Sequence, residues 1–410
     1  MQLTSLRSRR FRHYFIGHAA SILGSWIQQV ALSWLIYRVT GSAALLGIAA
    51  ALLQFPQMVV GPLAGSLVDR YDSRTLFLIA LGAGAALGLG LAVATWLDMS
   101  GPVLLLAAAA LTGIFNALES PLRQTLIPEL VRDRALLANA LALNAAVFNS
   151  ARFVGPPLAG LILAVTSEAW CFMVNAVSYI GMMVFAWNLR LDPKPPSDRD
   201  VLGLFIDGLR YLGRHWTLKR VLGLSFTQNI ATGAVIVLLP VWAADVYAGD
   251  SRTLGWLLGA SGAGSLCGTL LLTRLATPPA WLQAMSAGWI LTIIGTATLS
   301  LLPPLPVTLC ALFGFGFGLT MCNVLTNVMT QTIAPDELRG RMISIFIGGR
   351  WGFDALGGLV AGALATAAGL RSTVVLQLVV LVAAGGFFLR IRRGLGTRFD
   401  GQDAGPPGDG

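Results

Sequence analysis

Gly61-Pro-Leu-Ala-Gly65-Ser-Leu-Val-Asp69-Arg70-Tyr-Asp72-Ser-Arg74 closes one long apolar run and opens the next. Four charges fall within the six residues from Asp69 to Arg74, directly after two glycines. This is the pattern of a tight, charged turn between two membrane-length helices. To either side of it, apolar stretches of about 20 residues, the length that crosses a hydrocarbon core, recur along most of the chain. The 410 residues are 55% hydrophobic and 11% charged, whereas soluble domains carry roughly a quarter charged residues. A soluble globular protein is excluded.

Twelve spans are predicted: 14–37, 43–68, 76–97, 102–118, 136–165, 169–189, 221–243, 254–275, 281–302, 306–330, 342–368 and 372–389. An even count puts both termini on one side, and lysine and arginine identify that side as cytoplasmic. With that orientation 23 of the 28 basic residues are cytoplasmic. Arg38, Arg252 and Arg371 fall opposite, and Arg152 and Arg350 lie within spans. The net charge of +9 is therefore a matter of topology, and the expected partner is the bilayer of a bacterial-type inner membrane, not nucleic acid. The four cysteines sit in apolar runs without C-x-x-C spacing and read as packing residues.

Residues 1–190 form a first six-helix bundle and 221–393 a second. Between them, 191–220 begin as a Pro-rich linker and continue with Val201, Leu202, Phe205, Ile206, Leu209 and Leu212 at helical spacing, an amphipathic helix for the cytoplasmic leaflet. Residues 394–410 read as a disordered cytoplasmic tail, most plainly from Gly401 onward. The two bundles resemble each other. Gln124-Thr125-Leu-Ile-Pro128 returns as Gln331-Thr332-Ile-Ala-Pro335, and the same offset of 207 aligns Asn116 with Asn323, Arg132 with Arg339 and Arg134 with Arg341. Both repeats start on the same side, so the duplication is parallel. Such repeats place a substrate site near the midplane between the halves.

The opening stretch, with Gly65, Asp69, Arg70 and Arg74, resembles the loop signature of the major facilitator superfamily; Asp72 stands where that signature has glycine. Gly155-Pro156-x-x-x-Gly160 in span five resembles the superfamily's antiporter motif. Thr40-Gly41-Ser42, Pro56, the segment Gly208 to His215 and Pro335-x-x-x-Arg339-Gly340-Arg341 resemble the drug-exporter branch that includes enterobactin and macrolide efflux proteins. The resemblance implies an all-α membrane protein of twelve helices in two pseudo-symmetric bundles. It further implies that Gly61 and Gly65 let span two approach span eleven, and that Asp69 faces Arg341. Arg70, Arg74, Arg123, Arg132 and Arg134 would complete a clasp holding the cytoplasmic side shut. Gly155, Pro156 and Gly160 favour export over a mere packing kink.

A charge inside a span is costly unless it meets a partner or water. Arg152, Arg350 and Asp354 are therefore the leading candidates for substrate binding or proton coupling. Arg350 and Asp354, four residues apart, share a helix face and form either a quiet salt bridge or an exchanging pair. Span one offers Gln28 and Gln29 but no acid, and Glu119 at the inner end of span four is a second candidate carrier. Gln28, Gln228, Asn323 and Asn327 fall on spans that line the cavity in the family. His18 reads as an interfacial residue. No nucleophile elbow, metal-ligand spacing or phosphate loop is present, so neither an enzyme nor an ATP-driven pump is expected, and no cofactor beyond a proton gradient. The expected function is export of an amphipathic small molecule (a drug, a macrolide-like compound or a siderophore) by a monomeric proton antiporter. Two arginines and one acid in the cavity would favour an anionic or zwitterionic substrate. The alternatives are a lysophospholipid transporter of the same fold and a non-transporting receptor or scaffold.

Overall fold

Helices occupy most of the described residues of every predicted span in the computed structural model, which describes residues 5, 8–70, 72–131, 134–187, 201–272, 275 and 277–400. The first half comprises α1 (Arg9–Thr40), α2 (Ala43–Arg70), α3 (Ser73–Trp96), α4 (Pro102–Leu130), α5 (Arg134–Val165) and α6 (Glu168–Trp187). A short helix, α7 (Val201–Arg214), precedes the second half. That half comprises α8 (Trp216–Val237) with its continuation α9 (Leu239–Val241) and a π-turn Trp242–Val246, then α10 (Ser251–Leu272), α11 (Pro278–Ser300), α12 (Leu305–Ile333), α13 (Asp336–Ala368) and α14 (Leu370–Asp400). The described residues contain no strand. Eleven helices are long and apolar enough to cross a membrane, and the described apolar part of α2, Ala43–Val59, supplies a shorter twelfth.

Local chemistry sets the helix boundaries. Gly41 ends α1 in the left-handed region at φ 58°, donating its N–H to the Tyr37 carbonyl at 2.7 Å, a conformation costly for any residue with a Cβ. Asp72 caps α3, its carboxylate accepting from Thr75 N–H at 2.9 Å and Thr75 Oγ1 at 2.6 Å. The Thr75 hydroxyl in particular holds this carboxyl below its usual range. An aspartate in place of glycine in the opening turn thus has a structural cause. Span seven departs from the expected uninterrupted 221–243: it begins at Trp216 and breaks at Leu238. Pro240 lacks the N–H that would continue the ladder, and a π-turn absorbs the misfit. α14 runs to Asp400, so residues 394–400 are helical and not part of a disordered tail. The tail beyond Gly401 and the linker 188–200 lie outside the described residues.

Among the described residues, the halves share a buried apolar contact on the face opposite the termini, here the far face. One buried apolar cluster there crosses between them, joining Leu35, Ile36 and Leu46 to Leu238, Leu254 and Ala361. Toward the termini, the described buried residues form separate clusters in each half, one around Phe11, Phe77 and Leu126 and others around Trp289 and Phe346. Small residues allow the far-face approach. A Cβ on Gly160 of α5 would lie 2.9 Å from the Ser251 carbonyl oxygen and 3.1 Å from Gly255 Cα of α10. On the other side of the cleft, a Cβ on Gly47 of α2 would lie 2.7 Å from the Gly358 carbonyl oxygen of α13. Hydrogen bonds also cross the seam: Tyr37 donates to Asp245 at 2.5 Å, and Ala44 N–H to Thr366 Oγ1 at 3.1 Å.

Candidate functional site

Beneath this seal, a cavity of about 120 Å³ lies between the halves, lined by α1, α2, α4, α5, α8, α9, α10 and α13. Its wall is largely apolar, with Gln29, Ser33 and Gln54 as polar groups and Asp354 as the one ionisable residue. Gly233 on α8 makes room for that acid: a Cβ there would sit 2.7 Å from the Asp354 carbonyl oxygen and 2.9 Å from its carboxyl carbon. Gln54 is buried beside the same space, and its Oε1 has no hydrogen-bond partner among the described residues. Pro156 of the Gly-Pro pair lines the cavity as well. A Cβ on Gly155 would lie 2.6 Å from Trp26 Cβ of α1. The antiporter-like motif thus joins cavity wall, first-half packing and far-face seal along a single turn and a half of α5.

The two intramembrane arginines stand beside the cavity, outside its lining. Arg152 places its guanidinium carbon 6.0 Å from the centre of the Trp26 ring, which does line the space. Arg350 packs on Trp351 at 4.1 Å. Aromatic faces attract such cations. Neither guanidinium comes within 4.0 Å of the Asp354 carboxylate among the described residues, although both are near enough to act on it electrostatically. A closed Arg350–Asp354 bridge is therefore not what holds this helix face together. The acid lines the space, and neither guanidinium does.

Other expected cavity residues are engaged elsewhere. Gln28 accepts from Asn175 Nδ2 of α6 at 2.8 Å, so Gln29 is the glutamine of α1 that faces the cavity. Asn323 accepts from Asn229 Nδ2 at 3.0 Å, Asn327 accepts from Gln331 Nε2 at 3.2 Å, and Gln228 is 1% exposed within the second half. These are helix-to-helix or within-helix bonds, the usual use of amides in membrane bundles. Sequence periodicity does not separate adjacent Gln28 and Gln29; the partner Asn175 does.

His18 is not interfacial. It is 2% exposed, stacked on Tyr14 at 5.3 Å, and in contact with Arg123. Arg123 also reaches Glu119 through Nε at 2.9 Å and Ser21 Oγ at 3.0 Å. α4 continues to Leu130 instead of ending near residue 118, which carries Arg123 inward as the i+4 partner of Glu119. Arg123 is therefore not a loop cation of the clasp, and Glu119 lies in the first bundle, away from the cavity.

Of the expected gating residues, Arg74 donates to the Trp187 carbonyl at the end of α6, within its own half. Arg341 lies 3.9 Å from Asp207 of α7, and a Cβ on Gly208 would lie 3.0 Å from Ile345 Cδ1. The linker helix is thus packed on the start of α13, with Ile206 and Leu209 left exposed. The backbone of Gly61, Gly65, Asp69 and Arg70 is helical, as is that of Arg134, but their side chains lie outside the described residues, as does Arg132.

Residues 1–400 match the model of the transmembrane secretion effector family. The multidrug efflux pump Tap of Mycolicibacterium fortuitum is 30% identical over 398 residues, covering 90% of this chain and 93% of that one. The staphyloferrin A transporter of Staphylococcus aureus is 27% identical over 270 residues, 64% of this chain and 67% of that one. Among solved structures, a bacterial homologue of the human lysosomal transporter Spinster, inward-facing and unoccupied, superposes with a TM-score of 0.72 at 14% identity, covering 98% of this chain and all of that one.

Proposed function

The chain belongs to the transmembrane secretion effector family, a group of major facilitator transporters, and from that premise we propose that it is a proton-coupled exporter of amphipathic small molecules. It is a multi-pass protein of the bacterial inner membrane, and in this reading both termini are cytoplasmic. The observation that carries the proposal is Asp354, the single ionisable group lining the space between the halves. A carboxylate at the midplane that is deprotonated when the cavity faces the cytoplasm receives the substrate. When the halves rock and the cavity faces outward, proton uptake by the same carboxylate removes its charge and favours release. Similarity to proteins named for multidrug efflux and staphyloferrin A transport supports the substrate class.

The lining refines which end of the substrate matters. Because neither arginine lines the space and Asp354 does, the substrate group reaching Asp354 carries a hydrogen-bond donor, an amine or a hydroxyl. An anionic group would meet the carboxylate directly, which argues against the anionic preference expected from counting two arginines and one acid. Far-face glycine contacts between α5 and α10 and between α2 and α13 open and close outward access.

The test is transport in proteoliposomes with a pH gradient, using a fluorescent amphipathic amine. Asp354→Asn is expected to abolish uptake driven by the gradient while retaining downhill exchange. Gradient-driven transport at the unaltered rate in that variant would remove Asp354 from the coupling.

A further inference from the structure

A second recess lies outside the cavity, on the flank between α8 and α14, with a volume of about 750 Å³. At its termini end stand Trp216, Lys219 and Arg220, and its floor passes Gly223 and reaches Thr227. Those eleven helical steps span about 16 Å, comparable to much of an extended acyl chain. The rim is open to the membrane: Phe387 is 45% exposed and Val379 58%. A Cβ on Gly223 would meet nothing within 4 Å, so the recess is real space and not a tightly packed helix crossing.

The charged end is built for an anion. Arg220 lies with its guanidinium carbon 3.8 Å over the Trp216 ring and 5.9 Å from the Phe387 ring. Stacking on aromatic faces occupies the guanidinium plane and leaves its N–H edge for an oxyanion. No acid lines the recess, and among the described residues no carboxylate lies within 4.0 Å of Lys219 or Arg220. Trp216 stands at the first turn of a membrane helix, where tryptophan marks the headgroup level. Basic pockets between helices at that depth suit acidic headgroups.

We propose that this recess holds one anionic phospholipid from the leaflet on the termini side. Its phosphate sits between Lys219 and Arg220, and one acyl chain lies over Gly223 toward Thr227. The site is separate from the central cavity and independent of the substrate. The test uses the full chain in detergent, titrated with phosphatidylglycerol and, as a neutral-headgroup control, phosphatidylcholine, with bound lipid counted by native mass spectrometry. Wild type is expected to hold one phosphatidylglycerol more tightly than phosphatidylcholine. Lys219→Gln with Arg220→Gln should weaken that binding about thirtyfold, the effect of two basic residues near an anionic surface. Gly223→Leu puts a side chain into the recess where a Cβ meets nothing within 4 Å and should weaken lipid binding while keeping the thermal midpoint at or above wild type. Equal retention of the two lipids, unchanged affinity in both variants, or displacement by millimolar inorganic phosphate would each overturn the proposal.

Discussion

Gly160→Val tests whether the far-face seam is a working gate. The Cβ alone would lie 2.9 Å from the Ser251 carbonyl oxygen, 3.1 Å from Gly255 Cα and 3.3 Å from Arg252 Cα. All three are backbone atoms, so no rotamer change relieves the contact and α5 and α10 must part by roughly 1 Å, a Cβ–backbone gap of this kind ordinarily approaching 4 Å. Overpacking of this sort costs about 1–3 kcal/mol. That cost falls on the far-face-closed state alone, because the two glycines separate when the face opens. The closed-to-open ratio is then expected to drop by about 5- to 150-fold. Spin labels at exposed Val165 of the first half and exposed Leu301 of the second read the separation by pulsed electron resonance. A longer-distance population should grow, with efflux reduced. An unchanged distance distribution in a folded, membrane-inserted Gly160→Val protein would refute the idea that this seam opens.

The buried first-half cluster and the opening turn give two more expectations. Arg123→Leu leaves Glu119, 8% exposed, without its partner and should cost about 3–5 kcal/mol; adding Glu119→Gln should recover much of the loss in thermal unfolding of detergent-solubilised protein. Asp72→Ala removes the α3 cap and should cost about 1 kcal/mol, also read as a lowered thermal midpoint. Because hydrogen bonding from Thr75 depresses the Asp72 carboxyl in the folded protein, its contribution is present above the unfolded carboxylate pKa. It is lost as pH falls through the lower folded value, and Asp72→Asn should flatten that part of the acid stability profile.

The architecture was legible because two independent signals coincide. Apolar runs of membrane length give the helices, and the 207-residue offset shows that six of them recur in parallel. Asp354 was legible for a physical reason too, since an acid within an apolar run must find a polar setting. What the one-dimensional pattern does not carry is helix rotation. Gln28 and Gln29 are adjacent, yet one bonds to α6 and the other faces the cavity. Similarly, Arg152 and Arg350 are charges within spans, and each lies by a tryptophan ring without lining the cavity. His18 lies near the start of its helix, and only the continuation of α4 beyond the expected boundary brings Arg123 against it. The repeat also hides an asymmetry: the offset takes Glu119 and Arg123 to Thr326 and Thr330, so the second bundle has hydroxyls where the first has an ion pair.

The seating of α7 on α13 changes where the molecule divides. With Gly208 against Ile345 and Asp207 beside Arg341, α7 is cargo of the second bundle and rides with it. The boundary between the bundles then falls between Trp187 and Val201, ahead of α7 and not after it. A change at the contact between α7 and α13 is then felt inside the second bundle and not at a joint between the two.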